Sequence, residues 1–225
     1  AVGGKSAVNV GVSKNQVGLF TIPKRVVLDM FALSSLPREQ VCEGLVEAYK
    51  TGLALDPELS RFIEKQCAEL LRGDLRAVAH VAGASAEAKG RVVTVDFREK
   101  GLRRVLNLGH TYGHAVETWH RCRISHGQSV AAGLIVMAEL SRGRGLLSEA
   151  DAARVITTLL SMVGERFALP TVEQAWPIIL TDKKNAGGRV TFVLLKGIGD
   201  HVCVDDVGPE ELAAARIRAL QSWQA

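Results

Sequence analysis

Aromatic side chains are scarce: three Trp, two Tyr and six Phe make up 5% of the 225 residues. So thin a supply excludes a stacking platform for nucleic-acid bases. No uninterrupted apolar run approaches the ~18 residues that a membrane-spanning helix needs. The four cysteines, Cys42, Cys67, Cys122 and Cys203, form no Cys-x-x-Cys pair. They read as buried free thiols in a reducing compartment. The opening residues lack leader character, so a cytoplasmic location is expected. Neither an internal repeat nor a low-complexity segment is visible.

The chain is 47% apolar and 23% charged, an ordinary globular balance that excludes a disordered or fibrous protein. Its length allows one large domain, or one domain plus part of another. The formal net charge is +4, from 28 Lys+Arg against 24 Asp+Glu, and the basic residues are scattered. Nucleic acid would require a basic stripe or patch. Isolated Lys and Arg side chains suit a small anionic substrate better, or simply a solvated surface.

Ala1–Asn9 reads as a loop followed by a strand, as if the chain started inside a domain. Gly11–Gly18 reads as loop, and the β-branched run Arg25–Asp29 as a short buried strand. From residue 35 the texture becomes helical. Pro37 sits near the start of a first helix that carries Val41, Leu45 and Ala48 on one face. Asp56-Pro57-Glu58 opens a second helix, and Asp74–Thr94 is a third, weakened by Gly83 and Gly90. Leu106–Trp119 and Gln128–Leu147 read as two more, the latter nearly all apolar over Val130–Met137 and therefore central to the core. Ser148 caps a further helix. Near the end the period changes to two: Arg189–Leu195 and His201–Val204 flank Gly197-Ile198-Gly199-Asp200, a hairpin, before a terminal helix from Pro209. The fold class expected is mainly α with a few strands.

Three of six histidines are organised. His110 and His114 are four apart, which on a helix puts both imidazoles on one face, and His126 stands at the entrance to the apolar helix. Such a group can share a metal, or one ring can do acid–base work while others ligate. The spacing also occurs in ordinary helices. Gly109 and Gly113, one before each histidine, cost about 1 kcal/mol each in helix stability, which implies a close approach to the backbone. A His-Glu-x-x-His protease signature is absent because Thr111 follows His110. Glu47, among apolar neighbours, is a candidate third ligand, or half of a surface i,i+3 pair with Lys50.

Taken in order, Val2-Gly3-Gly4-Lys5-Ser6-Ala7-Val8-Asn9, Lys14-Asn15-Gln16-Val17-Gly18, Gly44–Lys50, Leu106–Ala115, His126-Gly127-Gln128-Ser129-Val130 and Asp182-Lys183-Lys184 resemble 3-dehydroquinate synthase, of the sugar-phosphate cyclase group. The resemblance covers essentially the whole chain. It implies two domains: residues 1–33 as the tail of an N-terminal α/β NAD-binding domain, and 34–225 as a C-terminal, mainly helical domain for metal and substrate. The family's Gly-Gly-Gly nucleotide motif is absent, so a truncated product, a separately encoded NAD-binding half or a fragment is expected. Carried over residue by residue, Glu47, His110 and His126 are the implied ligands of zinc or cobalt. His114 is the implied proton-transfer imidazole, with Lys50 and Arg103 also catalytic. Lys5, Asn15, Lys50, Lys89, Arg103, Asn107 and Lys184 are implied for the substrate, a phosphorylated sugar acid, and Lys5 and Lys14 for NAD. Glu99 matches a family position near the site. The family carries Glu where Gln128 stands; if that position orients His126, metal affinity falls.

The implied reaction converts 3-deoxy-D-arabino-heptulosonate 7-phosphate to 3-dehydroquinate and phosphate in the shikimate pathway, through transient oxidation by NAD, phosphate elimination, ring opening and aldol closure. A homodimer is implied, without nucleic-acid or membrane partners. Alternatives are an aminodehydroquinate or 2-deoxy-scyllo-inosose synthase, a non-catalytic binding module, and an iron-type polyol dehydrogenase.

Overall fold

The computed structural model describes residues 2–10, 13–181 and 190–224. An antiparallel hairpin comes first, β1 (Lys5–Val10) against β2 (Ser13–Phe20), with Lys5 opposite Phe20. The helices follow: α1 (Arg38–Leu55), α2 (Pro57–Lys65), α3 (Cys67–Leu71), α4 (Leu75–Val95), α5 (His110–Trp119), α6 (His126–Gly143), α7 (Glu149–Val163) and α8 (Val172–Thr181). A second hairpin, β3 (Phe192–Leu195) with β4 (His201–Val204), precedes α9 (Pro209–Gln224). The mainly helical fold with few strands is as expected.

The capping signals in the sequence act as read. Asp56 accepts from the amides of Glu58 and Leu59 at the start of α2, with Pro57 in its first turn. Asp74 caps α4 and Ser148 caps α7. The centre of the molecule is α6, whose residues 129–141 are all buried. It packs on α1, α5, α7, α9 and β3. Total burial explains its continuous apolar run: every face meets another element.

Four expectations are corrected. Residues from Ser13 are strand, because pairing with β1 satisfies the backbone of a polar sequence with little strand propensity of its own. Arg25–Asp29 is not a strand, and Val27 is 76% exposed; the run has neither a partner strand nor a face to bury among the described residues. The helix expected over Leu106–Trp119 is broken. A 3-10 turn, Leu102–Asn107, leads to Gly109 at φ +75, and α5 begins at His110. Likewise α6 starts at His126, two residues earlier than expected.

Candidate metal and substrate site

That break aims the histidines. Gly109 holds a left-handed conformation that L side chains rarely adopt. Its carbonyl lies against Gly133 of α6, where an added Cβ would sit 1.9 Å from the Gly109 oxygen. At Gly113 an added Cβ would meet the Ser129 carbonyl oxygen at 2.8 Å. The glycines therefore let α5 and α6 touch backbone to backbone, as their helix cost implied. Gly83 and Gly90 of α4 meet nothing.

Across this contact the rings of His110, His114 and His126 converge, with centroids 5.1–5.8 Å apart. One ligand atom from each lies within 4.8 Å of the others. Glu47 reaches in from α1: its Oε1 is 3.4 Å from His110 Nε2 and 3.7 Å from His126 Nε2. Its Oε2 accepts from Lys50 Nζ at 2.8 Å.

Protonation decides what these contacts are. His110 Nδ1 faces the Leu108 carbonyl oxygen at 3.2 Å, so that nitrogen carries the proton and Nε2 presents a lone pair. Burial first, then the Lys50 charge and the neighbouring imidazoles, hold His110 well below the ordinary histidine range. The His110–Glu47 contact is therefore no ion pair: a lone pair faces a carboxylate oxygen. Burial pushes the Glu47 carboxyl up, but the Lys50 charge and hydrogen bond, aided by His126 and Lys89, outweigh it and hold Glu47 ionised. The Glu47 side chain as a whole is 39% exposed, yet Oε1 itself is buried with no hydrogen-bond partner. An orphaned anionic oxygen opposite the His110 lone pair needs a cation between them. A tetrahedral ion with bonds of about 2.1 Å has ligand edges of about 3.4 Å, close to those found. The donor set fits a divalent ion such as zinc. The three imidazoles alone form a second possible cage.

A cavity of about 150 Å³ opens beside this cluster, lined by Lys5, Glu47, Lys50, Lys89, Glu99, Arg103, Asn107 and His110 together with Thr51 and Leu106. The structure thus gathers five of the seven expected substrate residues. Asn15 and Lys14 lie on β2, where only the backbone is described, and Lys184 falls outside the described residues. Lys50 is 4% exposed and Arg103 3%. Arg103 donates from Nη2 to the Gly3 carbonyl at 2.8 Å and from Nη1 to the Phe97 carbonyl at 2.6 Å, tying the root of the first hairpin to the cavity wall. Its burial lowers the guanidinium's proton affinity, partly offset by Asp96. Glu99, at φ 58, pairs with Lys5 and accepts from Asn107 Nδ2 at 2.6 Å. A non-glycine residue in that conformation with both oxygens engaged marks a stressed position at a site.

Two residues depart from the sequence reading. The hydrogen bonds of Gln128 go to Ser125 and Val163 rather than to His126. Its Oε1 accepts from the Ser125 amide at 3.0 Å and the Ser125 hydroxyl accepts from the Gln128 amide, a reciprocal cap on α6. Glu117, which the sequence reading passed over, places Oε2 3.4 Å from His126 Nδ1. Its signal was available: residues 110, 114 and 117 follow the i, i+4, i+7 spacing of one helix face.

A helical domain that sets a carboxylate–imidazole cluster beside a cationic cavity has the geometry of a site for a metal ion and a small anion. Residues 1–43 match the family model described as 3-dehydroquinate synthase N-terminal, and residues 44–185 the model described as 3-dehydroquinate synthase C-terminal. The chain belongs to the 3-dehydroquinate synthase family. It is 39% identical over 227 residues to the 3-dehydroquinate synthase of Halorhodospira halophila, covering 98% of this chain and 63% of that protein. With the enzyme of Rhodococcus opacus it shares 39% over 221 residues, covering 96% and 58%. The chain thus spans about 60% of the length of these relatives. Among solved structures, 2-epi-5-epi-valiolone synthase from Streptomyces hygroscopicus, with NAD+ and Zn2+ bound, superposes with a TM-score of 0.89 at 26% identity, over 98% of this chain and 62% of that one. A 2-deoxy-scyllo-inosose synthase complexed with carbaglucose-6-phosphate, NAD+ and Co2+ has the same fold, with a TM-score of 0.83 at 24% identity, over 96% and 62%.

Proposed function

We propose that this chain is the metal- and substrate-binding part of a 3-dehydroquinate synthase, a carbon–oxygen lyase that forms 3-dehydroquinate and phosphate from 3-deoxy-D-arabino-heptulosonate 7-phosphate in the cytoplasm, as a homodimer. Residues 34–225 form its metal and substrate domain, and 1–33 the end of an NAD-binding one. The observation that carries the reading is the buried, unpartnered Glu47 Oε1 with His110 Nε2 and His126 Nε2 aimed at it beside a lysine-lined cavity.

Glu47, His110 and His126 would hold zinc or cobalt. Bound there, the ion would polarise hydroxyl and carbonyl oxygens of the substrate. The rest is the chain's own chemistry. Lys50 and Lys89 offer ammonium groups to the phosphate and carboxylate, and their positions within the cavity orient the substrate over the metal cluster. Arg103 fixes the hairpin that carries Lys5 and adds positive charge to the wall. Glu99 holds Lys5 and Asn107 at set positions until an anion competes for them. His114, beside both imidazole ligands, would accept or return a proton at the reacting carbon. NAD enters this reading from the relatives. The described strands make two antiparallel pairs with no βαβ crossover.

The test is phosphate release from 3-deoxy-D-arabino-heptulosonate 7-phosphate by the full-length protein, with NAD and zinc supplied. Release that Glu47→Ala abolishes is expected. Oxidation of simple polyols without phosphate release would refute the reading. Release from a neutral sugar phosphate instead would move the chain to the valiolone or inosose branch.

A further inference from the structure

Resting on that reading of the metal site, we infer that Glu117 is the positioning residue of His126: its carboxylate holds the ring so that Nε2 points at the cluster. Two imidazoles must each present Nε2 without a proton, and each therefore needs an acceptor on Nδ1. For His110 the acceptor is the Leu108 carbonyl, fixed by the backbone. His126, the first residue of α6, meets no such carbonyl among the described residues, and its side chain is 41% exposed. Glu117 stands one α5 turn beyond His114 and is only 6% exposed. Its Oε2 meets His126 Nδ1, while Nε2 on the far side of the same ring faces Glu47 Oε1. A carboxylate only accepts hydrogen bonds, so Nδ1 carries the proton and Nε2 is the free ligand atom. Gln128 serves the α6 cap and reaches the Val163 carbonyl instead.

The test reads ring state and metal affinity separately. In the metal-free protein, 15N NMR of the neutral His126 ring is expected to show the proton on Nδ1. Glu117→Leu removes the acceptor in a buried, near-isosteric way; zinc affinity is expected to fall roughly 10–100-fold and the tautomer preference to be lost. Glu117→Gln keeps an acceptor oxygen and should recover most of the affinity, which a purely packing role would not require. Gln128→Ala should lower the melting temperature but leave the His126 tautomer and zinc affinity unchanged. A parent His126 protonated on Nε2 overturns the inference, even if Glu117→Leu fails to fold. So does a folded Glu117→Leu that binds zinc within about twofold of the parent. A parent that takes up no zinc overturns the metal-site reading itself, a result distinct from either.

Discussion

Replacing Gly133 by alanine should damage stability and site together. The new Cβ would lie 1.9 Å from the Gly109 oxygen and 2.9 Å from both the Gly109 carbonyl carbon and the Gly113 nitrogen, all backbone atoms. A carbon–oxygen contact needs roughly 3.3 Å, so α5 and α6 must part by about 1 Å or more. Overpacking of this kind costs about 3 kcal/mol, and alanine's better helix propensity returns up to about 1 kcal/mol. The net loss is about 2 kcal/mol, a fall in Tm of roughly 4–8 °C for a domain of this size. Gly83→Ala, in α4 with open space at its Cβ, is the matched control. It should gain about 0.5–1 kcal/mol. Because Gly109 leads directly into His110, the same separation draws His110 and His114 away from His126. Zinc affinity should drop well beyond the stability loss, since ligand geometry tolerates only a few tenths of an ångström. Thermal unfolding followed by circular dichroism, with a competitive zinc titration on the same samples, reads both effects. A Gly133→Ala protein as stable as the parent, with unchanged zinc affinity, would refute the claim that backbone contact between the helices builds the site.

Lys50→Ala removes a charge-assisted donor beside the cavity, worth about 1.5–3 kcal/mol, so calorimetry should show substrate affinity falling roughly 10–150-fold while Tm moves far less; unchanged affinity would remove Lys50 from the substrate site. Both tyrosines are buried: burial raises Tyr49, helped by Glu64, and pushes Tyr112 up to about 12. Tyr112 therefore contributes stability that is full below the unfolded value of about 10 and is lost as pH rises towards about 12. Absorbance of tyrosinate should appear only with unfolding, and an earlier gradual rise would contradict the burial. The Arg144 hydrogen bond holds Asp206 below the usual carboxylate range, so its contribution is present above about pH 4 and is lost as pH falls through the folded value. Asp206→Asn should flatten the acid limb of a Tm–pH curve; an unaltered limb would count against that link.

The parts of the fold that were legible in sequence are those whose signal is local. Asp56-Pro57, Asp74 and Ser148 announce helix starts because a capping side chain bonds its own neighbouring amides. The Phe192–Val204 hairpin announces itself by period and glycines. Val130–Met137 read as core because total burial leaves no polar face. Ser13–Phe20 was not legible, since its strand state comes from pairing with β1 rather than from its own residues. The α8 helix and the short α3 also escaped notice; the first carries Pro177 inside it and the second has only five residues. In the site, the glycines before His110 and His114 gave a sound clue to close packing, but sequence alone could not say which backbone came close. Glu117 shares a helix face with His110 and His114 in the sequence, but its partner on α6 depends on where that helix begins. The cap at Ser125 turns the Gln128 side chain back to the helix start and leaves His126 to α5.

The most direct test is metal content after equilibration with zinc and removal of excess. The parent protein should retain a single equivalent per chain, with His110→Ala and Glu47→Ala folded but empty, because both remove a donor from the cluster around Glu47 Oε1. Full zinc retention by folded His110→Ala would contradict the ligand assignment, and with it the reading of this cavity as a metal-dependent sugar-phosphate site.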